Sequence, residues 1–180
     1  MLSLALLAAL LGVLRPGAGG GGSAARGSGS VRPGALLRAR VTRVVDGDTV
    51  KALVAGRPDT VRYIGMDTPE EVKPGVPVEC FARRAAARNR RLVGGETVVL
   101  RFDRNPRDRY GRLLAYVYRA RDGLFVNAAL VREGFARQDP FPDNRAHAAL
   151  FARLDAAARA RHTGLWGRCG PSAIEAFPQG

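Results

Sequence analysis

Four carboxylates and two arginines carry the chemistry that this sequence could perform. They are Asp46 and Asp48 in the segment DGD, Asp67 and Glu70 in the segment DTPE, and the strand residues Arg62 and Arg112. Hard divalent cations such as Ca²⁺ take carboxylate oxygens as ligands, and guanidinium groups bind phosphate through paired N–H donors. Two carboxylates for a cation, a third for a water molecule and two arginines for phosphate form a complete set for phosphodiester hydrolysis.

Each of these groups also has a simpler interpretation when it is taken alone. The segment DGD is typical of a surface hairpin turn, and DTPE is typical of a turn or a helix start. An arginine in a strand commonly lies on a solvated face. Barrel curvature can bring such carboxylates together. Spacing alone leaves that contact open.

The strands that must position these residues follow from the alternation of apolar and polar residues. We predict strands over 37–45, 49–55 and 60–66, joined by turns at DGD and at 56–59, and two more strands over 96–102 and 112–119. The first three strands read as an antiparallel meander. A charged loop over 103–111 separates the last two.

Helices are predicted between and after these strands. They cover 79–93, 124–133 and 144–162, and a loop rich in proline precedes the first of them over 67–78. The last helix should place Leu150, Leu154 and Ala157 or Ala158 on one face. This order of elements predicts an α+β, mainly β fold, a five-stranded OB-type barrel with about three helices. A generic α+β sandwich is the alternative.

Charge and leader pattern restrict the cellular setting. The net charge of +13, from 29 basic and 16 acidic residues, favours a polyanionic partner. Because arginine greatly outnumbers lysine, biased composition could produce the same charge.

Residues 2–14 are an uncharged apolar run and 15–30 are rich in Gly, Ser and Ala, so we expect 1–30 to be a signal peptide plus linker. No Lys or Arg precedes that run, which leaves an uncleaved membrane anchor as the alternative.

The two cysteines, Cys80 and Cys169, fit one disulfide in an exported chain, meaning secreted, periplasmic or extracellular. Without a CxxC spacing or a Cys/His cluster, a structural zinc site is not expected. His147 and His162 are expected on the polar face of the last helix, and Trp166 is expected to be a packing anchor.

Three segments taken together resemble the staphylococcal nuclease (thermonuclease) family. They are VVDGDTVKALV, VRYIGMDTPE and DRYGRLLAYVY, and LVREGFA and GLWG fit the C-terminal part of that family. The similarity covers residues 38–168. It implies one nuclease-like domain over 36–170, a tail over 171–180, and a monomeric enzyme that cuts DNA and RNA to 3′-phosphate and 5′-hydroxyl ends.

The resemblance also implies a role for each residue of the site. Ca²⁺ would be held by Asp48, Asp67 and the backbone carbonyl of Thr68, with Asp46 nearby. Glu70 would activate or orient water, and Arg62 and Arg112 would bind phosphate. The remaining substrate contacts would come from Tyr110 and Arg109.

One segment departs from the pattern of the family. The segment ARQDPFPDN after Phe135 lacks the tyrosines that flank the nucleotide base in the best-known family member, and Phe141 is the only loose substitute.

A catalytically idle OB-type binding module is the alternative function, although such a module would not need the whole site. A basic scaffold protein without chemistry is a third possibility, favoured only if polyanion binding proves weak.

Overall fold

The computed structural model describes residues 31–71 and 77–175 of the chain. The predicted signal peptide or anchor and its linker, over 1–30, lie outside the described residues, as do the last five residues of the predicted tail. No helix in the described ranges has the length and apolar character needed to cross a membrane.

Five strands form a closed barrel, which confirms the predicted fold class. The strands of the described residues are, in chain order, β1 (Leu36–Val44), β2 (Thr49–Val54), β3 (Arg57–Tyr63), β4 (Met66–Asp67), β5 (Thr97–Arg101), β6 (Leu113–Arg119) and β7 (Arg137–Gln138). The barrel order is β1-β2-β3-β6-β5, with β5 returning to β1. All neighbours are antiparallel except β3 and β6, whose parallel pairing closes the barrel.

The alternation of side chains decides which face of each strand enters the core. In β1, Ala39, Val41 and Val44 are buried, whereas Arg38 and Arg40 are exposed. The same period of two places Val50, Ala52 and Val54 of β2 inside the barrel. The barrel therefore has an apolar interior and a basic outer surface along these two strands.

The turn between β2 and β3 is shorter than the sequence predicted. Ala55 and Gly56 form it alone, with φ values of 48° and 77°, and strand pairing resumes at Arg57. Two positive φ angles match the twist of a two-residue hairpin. The predicted turn over 56–59 was wrong because Pro58 and Asp59 can lie in the strand despite their low strand propensity.

The predicted third strand is divided in two. Strand β3 ends at Tyr63, and after a bend at Gly65 the short strand β4 pairs with β7 outside the barrel. Gly65 has φ +81°, and a Cβ there would lie 2.5 Å or less from two ring carbons of Phe151. Only glycine fits this bend, which turns Asp67 away from the barrel wall.

In the part of the chain that the structure describes, three helices of seven or more residues cover the barrel: α1 (Ala82–Val93), α2 (Val126–Arg132) and α3 (Ala148–Ala160). Two short ones follow, α4 (Leu165–Arg168) and α5 (Pro171–Glu175). Helix α1 begins later than predicted because Phe81 adopts a left-handed conformation, φ 73°. Helix α3 fully buries Phe151 and Ala158, while Leu150 and Leu154 of the predicted face are half-buried.

The disulfide predicted between Cys80 and Cys169 is present, with a Cα–Cα distance of 5.9 Å. It joins the segment before α1 to the residue after α4. Trp166 packs beside it in a small apolar cluster with Leu165 and Ala158, as expected for a packing anchor.

Candidate active site

Asp48 and Asp67 are brought together by the guanidinium group of Arg62. Nη1 of Arg62 lies 2.7 Å from Oδ2 of Asp48, and Nη2 lies 2.8 Å from Oδ1 of Asp67. Arg62 is 8% exposed and also donates to the backbone oxygens of Tyr63 and Met66. The contact that the spacing left open is therefore made, through an arginine that the sequence placed in a strand.

The β1–β2 turn fits closely against the segment after β4. Oδ2 of Asp48 accepts hydrogen bonds from the backbone N–H of Thr68 at 2.9 Å and from its hydroxyl at 2.8 Å. A Cβ at Gly47 would lie 2.6 Å from the Thr68 hydroxyl oxygen. Glycine in DGD thus allows the close approach by which the turn and Thr68 meet.

Asp46 is held in place by its own turn and by helix α1. Its carboxylate accepts the backbone N–H of Asp48 at 3.0 Å, and its carbonyl accepts the side-chain amide of Asn89 at 3.0 Å. The hydroxyl of Tyr63 donates to Oδ1 of Asn89, which is completely buried. A helix residue therefore fixes the turn that carries two carboxylates.

Glu70 is positioned through its backbone by Glu79. The N–H of Glu70 donates to Oε2 of Glu79 at 2.7 Å, and the N–H of Glu79 donates to the carbonyl of Glu70 at 3.0 Å. Cys80 follows Glu79 in the chain. The disulfide therefore restrains Glu79, which in turn positions Glu70. Sequence reasoning did not identify this role of Glu79, because nothing in the spacing of 70 and 79 indicates it.

Arg112 enters the same pocket from the loop before β6. Its Nε pairs with Oδ2 of Asp108 at 2.7 Å. The ring of Tyr110 lies 4.9 Å from the guanidinium carbon of Arg109 and 5.5 Å from that of Arg112. Tyr110 is 68% exposed, so an aromatic ring with two neighbouring guanidinium groups stands on the surface beside the pocket.

A second buried arginine, Arg137 on β7, was not predicted. It lies opposite Asp67 in the β4–β7 ladder, and its Nη2 is 3.2 Å from Oδ2 of Asp67. Asp139, two residues later, is also buried, and its backbone N–H donates to the carbonyl of Gly65. A two-residue strand has too short a pattern to be detected in a sequence.

Burial dominates the electrostatics of these carboxylates. It raises the pKa of Asp46 to about 7, and the neighbouring Asp48 adds to the rise. It also raises the pKa of Asp67 to about 6, again with a contribution from Asp48, while Arg62 and Arg137 act in the opposite direction. Burial alone would lower the pKa of Arg62, yet Asp48 and Asp67 raise it above its ordinary value.

The carboxylates and arginines that the sequence predicted for the site line one small cavity of about 60 Å³. The lining residues are Asp46, Asp48, Thr49, Arg62, Asp67, Thr68, Pro69, Glu70 and Arg112. Within the described ranges, no group of three or more His, Cys, Asp or Glu side chains could hold a metal ion by itself. Two carboxylates supplemented by carbonyl and water oxygens still suit a hard cation. Such an ion would also relieve the repulsion between buried carboxylates.

Other candidate residues lie elsewhere. His147 precedes α3 and packs edge-on against Tyr116, with ring centroids 4.5 Å apart, so the predicted polar-face position was wrong. His162 is exposed after the end of α3. Phe141 is half-buried and lines a separate cavity of about 270 Å³ with Gly65 and Phe151.

Comparison with known proteins gives consistent matches. The family model for staphylococcal nuclease homologues matches residues 60–168. The thermonuclease of Staphylococcus intermedius is 38% identical over 128 residues, which is 71% of this chain and 75% of that protein. Endonuclease YncB of Bacillus subtilis is 46% identical over 103 residues, 57% of this chain and 48% of that protein. The SPbeta prophage-derived endonuclease YokF of the same organism is 39% identical, and the chain spans about half the length of each Bacillus relative.

Proposed function

Because this chain belongs to the family of staphylococcal nuclease homologues, we propose that it is a calcium-dependent endonuclease. Its substrates would be DNA and RNA, and its products would carry 3′-phosphate and 5′-hydroxyl ends. One observation supports this most strongly. Asp48, Asp67, Glu70, Arg62 and Arg112 come from four separate segments and line a single pocket.

The metal site in this proposal consists of Asp48, Asp67 and the backbone carbonyl of Thr68, with Asp46 beside them. Their oxygens are hard donors of the kind that Ca²⁺ takes, and such a site leaves room for water ligands. When bound, the ion supplies charge that screens the scissile phosphate. The hydrogen bonds from Thr68 to Asp48 keep these donors in place before any ion arrives.

Side chains of the protein have the remaining catalytic and phosphate-binding roles in this proposal. Glu70 accepts the proton of an attacking water or fixes its direction, since a carboxylate within reach can act as a general base. Arg112 and Arg62 stabilise the charge that develops on the phosphate oxygens. In the structure Arg62 pairs with Asp48 and Asp67. If those carboxylates held a metal ion, the N–H groups of Arg62 would be available to a phosphate. Tyr110 and Arg109, at the surface beside the pocket, contact a neighbouring phosphate.

We also propose that the protein acts outside the cytoplasm as a monomer, with residues 36–170 as its catalytic domain. The Cys80–Cys169 bridge supports this location, because disulfides persist in oxidising compartments. Export itself would depend on residues 1–30.

A DNA-containing gel tests the proposal directly. The protein should clear DNA with calcium and should lose that activity with a chelator. The variant Glu70→Gln should be inactive while it still folds, because it keeps the shape of the side chain but cannot accept a proton. Asp122→Asn, which removes an exposed carboxylate paired with Arg119, should clear DNA normally.

Three results would count against it. Full activity in excess chelator would exclude the calcium assignment. Products with 5′-phosphate ends would exclude the proposed position of cleavage. Calcium-independent binding of DNA with no cleavage under any condition would favour the idle binding module instead.

A further inference from the structure

A row of basic side chains covers the outer face of β1 and β2, away from the pocket described above. Exposed and buried residues alternate along both strands, and every ionisable side chain on their outer face is a cation. We refer to them as the cation row. Its members are Arg38, Arg40, Arg43 and Lys51.

An irregularity in β1 creates the densest part of this row. The β1–β2 register shifts between Val41 and Arg43, so that Thr42 and Arg43 are both exposed. As a result Arg43 lies directly opposite Lys51. Like charges in directly opposite positions destabilise an antiparallel pair. The sequence thus keeps a repulsive pair in which Arg43 lies three residues before Asp46 and Lys51 lies three residues after Asp48.

The cation row takes part in no ion pair in the described part of the chain. Across residues 31–71 and 77–175, no carboxylate lies within 4.0 Å of a basic nitrogen of these four side chains in the ion pairs of the structure. The ladder neighbours outside β1 and β2 are neutral, namely Thr60, Thr97 and Val99. Leu53 lies opposite Arg40 and is 39% exposed, so an apolar contact is available within the row.

The cation row is continuous with the pocket. Arg62 lies opposite Thr49, and Lys51 lies opposite Thr60, so Arg62 and Lys51 share one face of the sheet two residues apart. Same-face residues on a strand repeat about every 7 Å. The first step leads from Arg62 to the pair Lys51 and Arg43, the second to Arg40 and the third to Arg38. The path is roughly 20 Å long.

We propose that the cation row is a second binding site, which holds single-stranded nucleic acid as it leaves the catalytic pocket. The regular spacing provides one cation or cation pair for each successive phosphate, and exposed Leu53 can contact a base. A narrow row that begins at a buried site arginine fits a single extended strand better than a flat anionic surface. This inference rests on the proposed function, because the pocket is taken as the place where the strand is cut.

Binding and cleavage of two substrates test the inference. The variant Arg40→Gln, Arg43→Gln, Lys51→Gln removes three exposed charges of the row. The matched control, Arg83→Gln, Arg90→Gln, Arg91→Gln, removes three exposed charges of helix α1. Each is compared with the wild-type full chain on a dinucleotide and on a single strand of about 20 nucleotides, a length beyond the usual 4–16 nucleotides of one OB-fold site.

We expect the row variant to cleave the dinucleotide at the wild-type rate and to bind the long strand at least about tenfold more weakly. The slope of log K against log salt should fall by about 2, since each phosphate contact on a single strand contributes about 0.7. The helix control should keep most of the wild-type affinity. Equal losses in both variants would mean that only net charge matters, and unchanged affinity would equally overturn the inference.

Affinity for the long strand is measured in chelator, so that it does not depend on cleavage. If the wild-type protein binds the strand through the row but cuts nothing in calcium, the proposed function fails and the row survives. If it cuts normally and the row variant binds normally, only the row fails. Row-dependent binding to vesicles of anionic phosphatidylglycerol without strand binding would also overturn the inference.

A single substitution provides an independent readout. Lys51→Glu replaces the repulsive pair by an ion pair with Arg43, so it should raise the Tm while it weakens strand binding. A variant that lost both stability and binding would indicate that Lys51 is structural, contrary to the inference.

Discussion

At the scale of single residues, Arg62 joins the structure of the site to its chemistry. It is a buried strand residue, and its two terminal nitrogens hold two carboxylates from different segments. Breaking a buried ion pair by removal of one partner is strongly destabilising. Its role in holding the site together and its role with phosphate should therefore be measured separately.

Replacement of Arg62 by lysine keeps the charge but removes the planar fork. We expect Arg62→Lys to lower kcat/KM by on the order of 10²-fold, as for loss of a donor that acts in the transition state. Arg107→Lys is the matched control, because Arg107 pairs with both oxygens of Asp59 outside the pocket. Steady-state cleavage assays should show a large loss only for Arg62→Lys. Similar rates for both variants would contradict the assigned role.

The residues of the site differ in how visible they are in the sequence. Asp48, Asp67 and Arg62 lie in distinctive segments, so their roles could be hypothesised and their contact could be checked. Glu79 acts through two hydrogen bonds to the backbone of Glu70, and Arg137 acts through its ladder position and ion pair opposite Asp67. Neither arrangement leaves a pattern in the sequence. Contacts that depend on how two remote segments meet cannot be predicted from spacing.

At the scale of elements, the bend between β3 and β4 sets the direction of Asp67. The sequence predicted one strand over 60–66, where Arg62 lies in an otherwise apolar segment. The structure ends the strand at Tyr63, since Gly65 approaches helix α3 closely. That helix is remote in sequence, so its effect on the strand could not be predicted.

Gly65→Ala should therefore destabilise the protein through both strain and crowding. Left-handed backbone costs an alanine about 1–2 kcal/mol, and crowding against Phe151 adds about 1–3 kcal/mol. Gly111→Ala is the matched control, because Gly111 has a similar φ of +79° but open space around its Cα. Urea unfolding should give a clearly larger loss of stability for Gly65→Ala. Equal losses would exclude the crowding contribution.

The aromatic contacts of His147 give the fold a pH-dependent contribution. Burial lowers the pKa of His147, Arg101 lowers it further, and Asp103 opposes them. The rings of Tyr116 and Phe125 also face it. Because the unfolded chain binds a proton more readily, this contribution is complete above the unfolded pKa of about 6.5 and is lost as the pH falls below it.

Substitution by phenylalanine should remove this contribution while it keeps an aromatic ring. We expect the Tm of the wild-type protein to fall more steeply than that of His147→Phe between pH 7 and pH 5, the range around the ordinary histidine pKa. The difference between the two curves isolates His147 from the carboxylates of the pocket. Parallel curves for wild type and His147→Phe would refute the expectation.

At the scale of the whole molecule, the disulfide joins the segment before α1 to the residue after α4. It links residues 89 positions apart, and in the loop-entropy model such a link restricts the unfolded chain by about 4–5 kcal/mol. Strain and residual unfolded structure reduce that gain in practice. The sequence predicted this pairing from the count of two cysteines, which left no other partner within the chain.

Reduction should lower the Tm without abolishing cleavage at low temperature, since neither sulfur lines the pocket. The double variant Cys80→Ser, Cys169→Ser should melt like the reduced protein. Calorimetry with and without reductant measures the difference, and zymography measures the remaining activity. An unchanged Tm after complete reduction would show that the bridge does not contribute to stability.

The same bridge has a consequence for proteolysis. A protease cut anywhere between Cys80 and Cys169 leaves two fragments that stay covalently joined, including a cut at exposed Arg104 or Arg109. Limited trypsin treatment should then give one band on a non-reducing gel and two bands after reduction. Because the fragments cannot diffuse apart, a nicked molecule can close its barrel again, and the enzyme would retain its fold after a first cut inside this loop.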